Sequence, residues 1–163
     1  MYQCVELAGF AAAQAVCCLF DRQPFLPLAF TYRAPDQKSV SILSGGSPEA
    51  IGARAREWLD ANAEKADAAV VAMDGYITIP PSTRTDAIIL EIRGYREHAG
   101  GIRMAVPYRP HHDRKGFAVH RPKLIVATLE GQDGPGLQDA FVRGVFSHEY
   151  GGRIWHACLD DGR

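Results

Sequence analysis

At 163 residues, 47% of them hydrophobic and 23% charged, the chain is too apolar for a disordered polypeptide. It is long enough to bury roughly 68 to 70% of the surface its unfolded form exposes, so it needs no disulfide or metal for stability. A formal net charge of -1 provides no global field to draw it to nucleic acid or an anionic membrane.

Leu7 to Phe20 is almost wholly apolar, yet Met1 to Glu6 carries an acid and no Lys or Arg, unlike the start of a signal peptide. The run also falls short of the ~20 residues of a membrane span. It reads as a buried helix whose Ala-rich face suits close packing, including at a subunit interface. Of the four cysteines, Cys4, Cys17, Cys18 and Cys158, none forms a Cys-x-x-Cys pair. Cys17 and Cys18 point about 100° apart on a helix and would not converge on one metal. They read as small core hydrophobes, and reduced thiols in a small core fit the cytosol.

Leu28, Phe30 and Tyr32 alternate with Ala29, Thr31 and Arg33, the period of a half-buried strand. After the turn at 34–38, Val40 and Ile42 alternate with Ser39 and Ser41, completing a hairpin. Ser47-Pro48 gives a helix start, with a capping hydroxyl and a proline whose missing N–H costs nothing at the first position. Ile51, Ala55, Trp58 and Leu59 form one apolar stripe on that helix, and Asn62 marks its end.

From Ala66 to Leu129 the chain reads as consecutive antiparallel strands. Val70 to Met73 and Tyr76 to Ile79 flank Asp74-Gly75, residues suited to a tight hairpin turn. Pro80-Pro81-Ser82-Thr83 then interrupts pairing. Ile88, Leu90 and Ile92 face one way and Glu91 and Arg93 the other, and Ile102, Met104, Val106 and Tyr108 repeat the pattern against Arg103 and Ala105. Pairing of these strands would set Glu91 near Arg103 as a surface ion pair. Pro107, Pro110 and Pro122 lack the N–H of a central ladder and point to a sheet edge or strand end. A strand at Leu124 to Thr128 and a loop at Gly131 to Gly136 follow. The last helix, Leu137 to His148, is expected to bury Leu137, Phe141, Val142, Val145 and Phe146, with Tyr150-Gly151-Gly152 stopping it. Ile154, Trp155 and Leu159 are apolar enough to dock back on the body.

The expected fold is therefore α+β: one domain over 1–163, with a mainly antiparallel sheet of about five to seven strands and about three helices packed on one face. The order of elements resembles the profilin-like layout of Roadblock-type modules, which place an amphipathic helix between strand sets and often dimerise. The resemblance covers topology alone and implies self-association.

Three places could hold chemistry. In the segment Tyr108 to Lys123, the cations Arg109, Arg114, Lys115, Arg121 and Lys123 outnumber Asp113 by four. Arg109 and Arg114 could clamp a phosphate or carboxylate, with Tyr108, His111, His112 and Lys115 completing an anion site. A solvated edge loop that keeps neighbouring chains apart explains the same charges. Second, His111, His112 and His120 lie with Asp113 in one segment, and His148, Glu149 and His156 lie near the C-terminus. Adjacent His111 and His112 cannot both face inward in an extended chain, and Gly152 stands where His-Glu-x-x-His needs its second histidine. Third, Cys158 lies close to His156 and Asp160. There is no Gly-x-Ser-x-Gly elbow, phosphate-binding loop or dinucleotide fingerprint, so no cofactor is implied. Composition and pattern thus favour a noncatalytic cytosolic module that self-associates and binds a partner protein or small anionic ligand. The alternative is a small hydrolase using the histidines with Asp or Glu, with or without a metal.

Overall fold

The computed structural model describes all residues except 35–36, 44–46, 96–98, 128–133 and 161–163. Its elements are α1 (Tyr2–Phe20), β1 (Leu28–Arg33), β2 (Gln37–Ile42), α2 (Pro48–Ala61), β3 (Ala68–Ile79), β4 (Thr83–Gly94), β5 (Gly100–Arg109), β6 (Ala118–Val119), β7 (Lys123–Ala127), α3 (Gly134–Ser147) and α4 (Glu149–Cys158). The fold is α+β, with every strand pair in the sheet antiparallel. The strand order is β2-β1-β3-β4-β5-β6, and β7 joins β6 on the same side of β5.

The run of small residues in α1 determines how the layers stack. Val5, Ala8, Ala11, Ala12, Ala13, Ala15 and Val16 are fully buried, enclosed by the sheet and by α3 and α4. A Cβ on Gly9 would lie 2.0 Å from the Phe141 carbonyl oxygen, and one on Gly144 would lie 1.9 Å from that of Glu6. Backbone therefore meets backbone where α1 and α3 cross, a spacing that only glycine allows. The same holds at α4, where a Cβ on Gly151 would lie 2.5 Å from the Ala13 carbonyl oxygen. The alanine face expected to suit another subunit is thus occupied within the chain. At 19 residues, α1 is long and apolar enough to cross a membrane by length and composition, contrary to the expected shortfall. Here it is the central core helix.

The inner face of the sheet supplies Phe30, Val70, Ile88, Leu90, Ile92, Ile102 and Val106 to this core. Helices do not keep to one face, however. On the opposite face, Ala55 and Leu59 of α2 pack against Ala29, Ala69 and Val71. The Ser47 side chain caps α2 by accepting from the Ala50 amide at 3.3 Å, and Asn62 ends it in the left-handed conformation.

Several local expectations are corrected. Asp74-Gly75 makes no turn: both residues lie within β3, opposite Ile88 and Ala87, and the chain reverses at 80–82. Gly75 is required for space rather than for a positive φ, since a Cβ there would lie 2.9 Å from Ile89 Cγ1. Tyr150-Gly151-Gly152 does not stop a helix but lies in the first turns of α4, where Gly151 is the contact with α1. His148 is the N-cap: its Nδ1 accepts from the Gly151 amide at 3.0 Å, and its Nε2 bonds Gln14 Oε1 at 2.9 Å. On α3 the buried stripe is Ala140, Phe141, Gly144 and Val145, leaving Val142 and Phe146 exposed. Ile154 and Trp155 dock on the core as expected, whereas Leu159 stays exposed and bridges Val119 of β6. Glu91 does face Arg103, at 3.3 Å, but the carboxylate is buried rather than superficial. Pro107 lies in β5 opposite the gap between β6 and β7, where a missing N–H breaks no ladder.

The crossing of α1 and α3 makes two glycines behave oppositely. Gly144→Ala should lower unfolding free energy by about 2 to 3 kcal/mol through overpacking. Gly52→Ala, in α2, meets nothing closer than Arg56 Nη2 at 3.7 Å and should raise stability by about 0.5 to 1 kcal/mol through reduced chain entropy. Urea titrations of the two variants measure both. Equal effects would contradict the backbone contact.

Candidate functional site

The six residues expected to form an anion site do not converge. Tyr108, near the end of β5, is buried and its hydroxyl donates to Asp74 Oδ1 at 2.8 Å. Arg109 is a staple: Nε donates to the Gly116 carbonyl at 2.8 Å and Nη1 pairs with Asp160 Oδ2 at 3.0 Å, tying the loop and the C-terminal tail to the sheet. His111 Nε2 donates to the Phe20 carbonyl at 2.9 Å while its ring stacks on Phe117 at 5.0 Å, closing the end of α1. His112, Arg114 and Lys115 stand exposed on the loop. The Asp113 side chain shapes that loop by accepting from the Lys115 amide at 2.8 Å, and Gly116 completes it at φ 74. Three of the six are thus built into the fold and three face solvent.

The other histidines are also spread out. His120 Nδ1 donates to the Asp160 carbonyl at 2.9 Å, His148 caps α4, and His156 is exposed. Among the described residues, no three His, Cys, Asp or Glu side chains are grouped to hold a metal ion. Glu149 is exposed and pairs with Arg153 at 3.4 Å. Burial raises the Cys4 and Cys158 thiols and pushes Cys17 up to about 11, where the charges of Cys18 and Asp21 add to the effect. These groups are protonated at neutral pH, opposite to an activated thiolate. Cys158 and His156 lie two residues apart on α4 and so point to different sides.

The structure instead opens an apolar groove of about 550 Å³ between α1 and the β1–β2 hairpin. Leu7 and Phe10 form one wall, Leu28 and Phe30 the floor, and Val40 and Ile42 the other wall. It exists because α1 lies under β1 and β3 to β5 but stops short of β2, whose described side chains are all exposed. Phe10 packs edge-on to Phe30 at 6.1 Å and against the His148 ring at 4.9 Å, which fixes that wall. Lys38, the only charged residue of β2, places its Nζ 5.1 Å from the Phe10 ring centroid. The alternation of Val40 and Ile42 was the available signal. It identifies a strand but not that nothing covers it.

Comparison of the chain with known protein families, curated proteins and solved structures finds no match. None of these comparisons supports the resemblance to Roadblock-type modules expected from the order of elements.

Two phenols, Tyr108 buried and Tyr95 partly buried, predict a pH dependence. Burial first, then the hydrogen bond to Asp74, raises Tyr108 above its usual value, and burial pushes Tyr95, which donates to the Leu59 carbonyl, up to about 12. Both folded values exceed the unfolded one, so the stabilisation is complete below the unfolded value of about 10 and drains as pH rises through the folded values. Urea midpoints should fall between about pH 10 and pH 12, and less steeply in the Tyr95→Phe/Tyr108→Phe double variant. The same slope in both proteins would contradict this.

Proposed function

We propose that the chain is a noncatalytic module that self-associates edge to edge through β2, a second copy of itself covering the apolar groove. The observation that carries this reading is β2 itself. It ends the sheet, and Val40 and Ile42 are each 59% exposed. Edge strands are usually guarded by charge, above all by lysine. The one lysine here is drawn inward over Phe10 and leaves the edge unguarded.

The strand is also compatible with its own copy. Antiparallel pairing about a two-fold axis at Val40 sets Val40 against Val40, Ser39 against Ser41 and Lys38 against Ile42, with no like charges opposed. Val40 and Ile42 from both copies would then close the two grooves together, giving an apolar centre with backbone hydrogen bonds at its side. The histidines support this reading over a hydrolase, since those that are partly buried hold structural hydrogen bonds.

Light scattering with size exclusion at tens of micromolar should give twice the 17.8 kDa chain mass. Val40→Asp/Ile42→Asp should return the mass to that of one chain with unchanged circular dichroism, because both side chains are solvent-facing. A strict monomer before mutation, or a dimer that survives it, would reject the β2 interface.

A further inference from the structure

We propose that the outer face of the sheet carries a separate binding site for a small organic phosphate monoester, built from Arg56, Arg93 and Arg103. This site is remote from the basic loop and independent of the β2 interface. It lies in a cavity of about 560 Å³ between α2 and the β4–β5 ladder, within the range of small-molecule sites.

The three guanidiniums come from three elements and are held in different ways. Arg103, on β5, is anchored through Nε to the buried carboxylate of Glu91 at 3.3 Å. Arg93, on β4, is anchored through Nε to Asp60 of α2 at 3.3 Å, and its Nη1 donates to the Ile92 carbonyl at 3.3 Å. Arg56, one turn before Asp60 on α2, is exposed and has no acidic partner among the described residues. Both anchored side chains are thus restrained through Nε, leaving the terminal nitrogens of Arg103 and Nη2 of Arg93 for a ligand. Held guanidinium forks are the usual receivers of phosphate oxygens.

Two choices in the sheet disfavour stability and are accounted for by this site. Glu91 is 6% exposed in the middle of β4, and an apolar residue there would avoid the desolvation of a carboxylate. Its consequence is to hold Arg103. Gly101 weakens β5, but a Cβ there would lie 2.8 Å from Arg93 Nη1 and 3.3 Å from Cζ. Its absence lets the Arg93 guanidinium lie across the strand. Three cations face two carboxylates, so a dianion converts a local excess of one positive charge into an excess of one negative. A phosphate monoester supplies three terminal oxygens for three forks, and the exposed Val126, opposite Arg103 on the same face, gives its organic part an apolar contact.

NMR titration of the full-length chain with phenyl phosphate, inorganic phosphate and succinate tests this. Phenyl phosphate should shift the amides of Gly101, Ile102 and Val126 with saturation below millimolar, and inorganic phosphate should do so more weakly. Arg56→Gln, which removes no ion pair among the described residues, should weaken phenyl phosphate about tenfold or more, while Arg114→Gln/Lys115→Gln should leave its affinity unchanged. Gly101→Ala should also weaken binding by displacing Arg93. The proposal is overturned by any of four results: no saturable shift, shifts confined to residues 111–116, unchanged affinity in Arg56→Gln, or succinate binding as tightly as phenyl phosphate.

Discussion

The backbones of α1 and α3 touch at Gly9 and Gly144, and the rest of the architecture follows from that contact. Glycine at both positions, with Gly151 facing Ala13 one step along, lets three helices form a tight layer instead of spreading over the sheet. A helix so closely covered can be made largely of alanine, because small side chains fill the short distances to its neighbours. Each alanine buries little apolar surface alone, so α1 depends on contact nearly all around its axis. The larger side chains Phe141, Trp155, Leu90 and Ile92 then close the core around it.

Concentrating three helices in this way leaves parts of the sheet uncovered. On the inner face the helical layer ends before β2, and the apolar groove opens there. On the outer face α2 covers the region around Ala29, Ala69 and Val71, leaving the Glu91–Arg103 ladder beside an open cavity. The two surfaces proposed for binding are thus consequences of a compact core. One is apolar with an unpaired strand edge, and the other is lined by arginine. Their different chemistry is the basis for proposing two different ligands, a second copy of the chain and an anion.

Much of the sheet was legible in the sequence because a two-residue period has only one structural solution once a face is buried. The alternation through Ile88 to Ile92 and Ile102 to Tyr108 places Glu91 opposite Arg103, and the structure has that register. Local glycine signals misled for a common reason. Asp74-Gly75 and Gly151-Gly152 have the composition of turns or stops, but Gly75 makes room for Ile89 and Gly151 for the backbone of α1. A requirement for space set by a distant segment leaves the same residue in the sequence as a requirement for positive φ. The candidate site was less legible. Clustering Tyr108 to Lys115 in sequence does not make their side chains converge, since Tyr108 and Arg109 find partners 34 and 51 residues away. Arg56, Arg93 and Arg103 line one cavity only because α2 packs on the sheet face beside β3 and β4.

Helix α1 is the innermost element, enclosed by backbone contact with α3 and α4. Amide hydrogen exchange across residues 2–20, followed by mass spectrometry, tests it most directly. Exchange there should be as slow as in β3 and β4, occurring only with global unfolding. Exchange at the rate of the exposed loop 110–116, with β3 and β4 still protected, would contradict it.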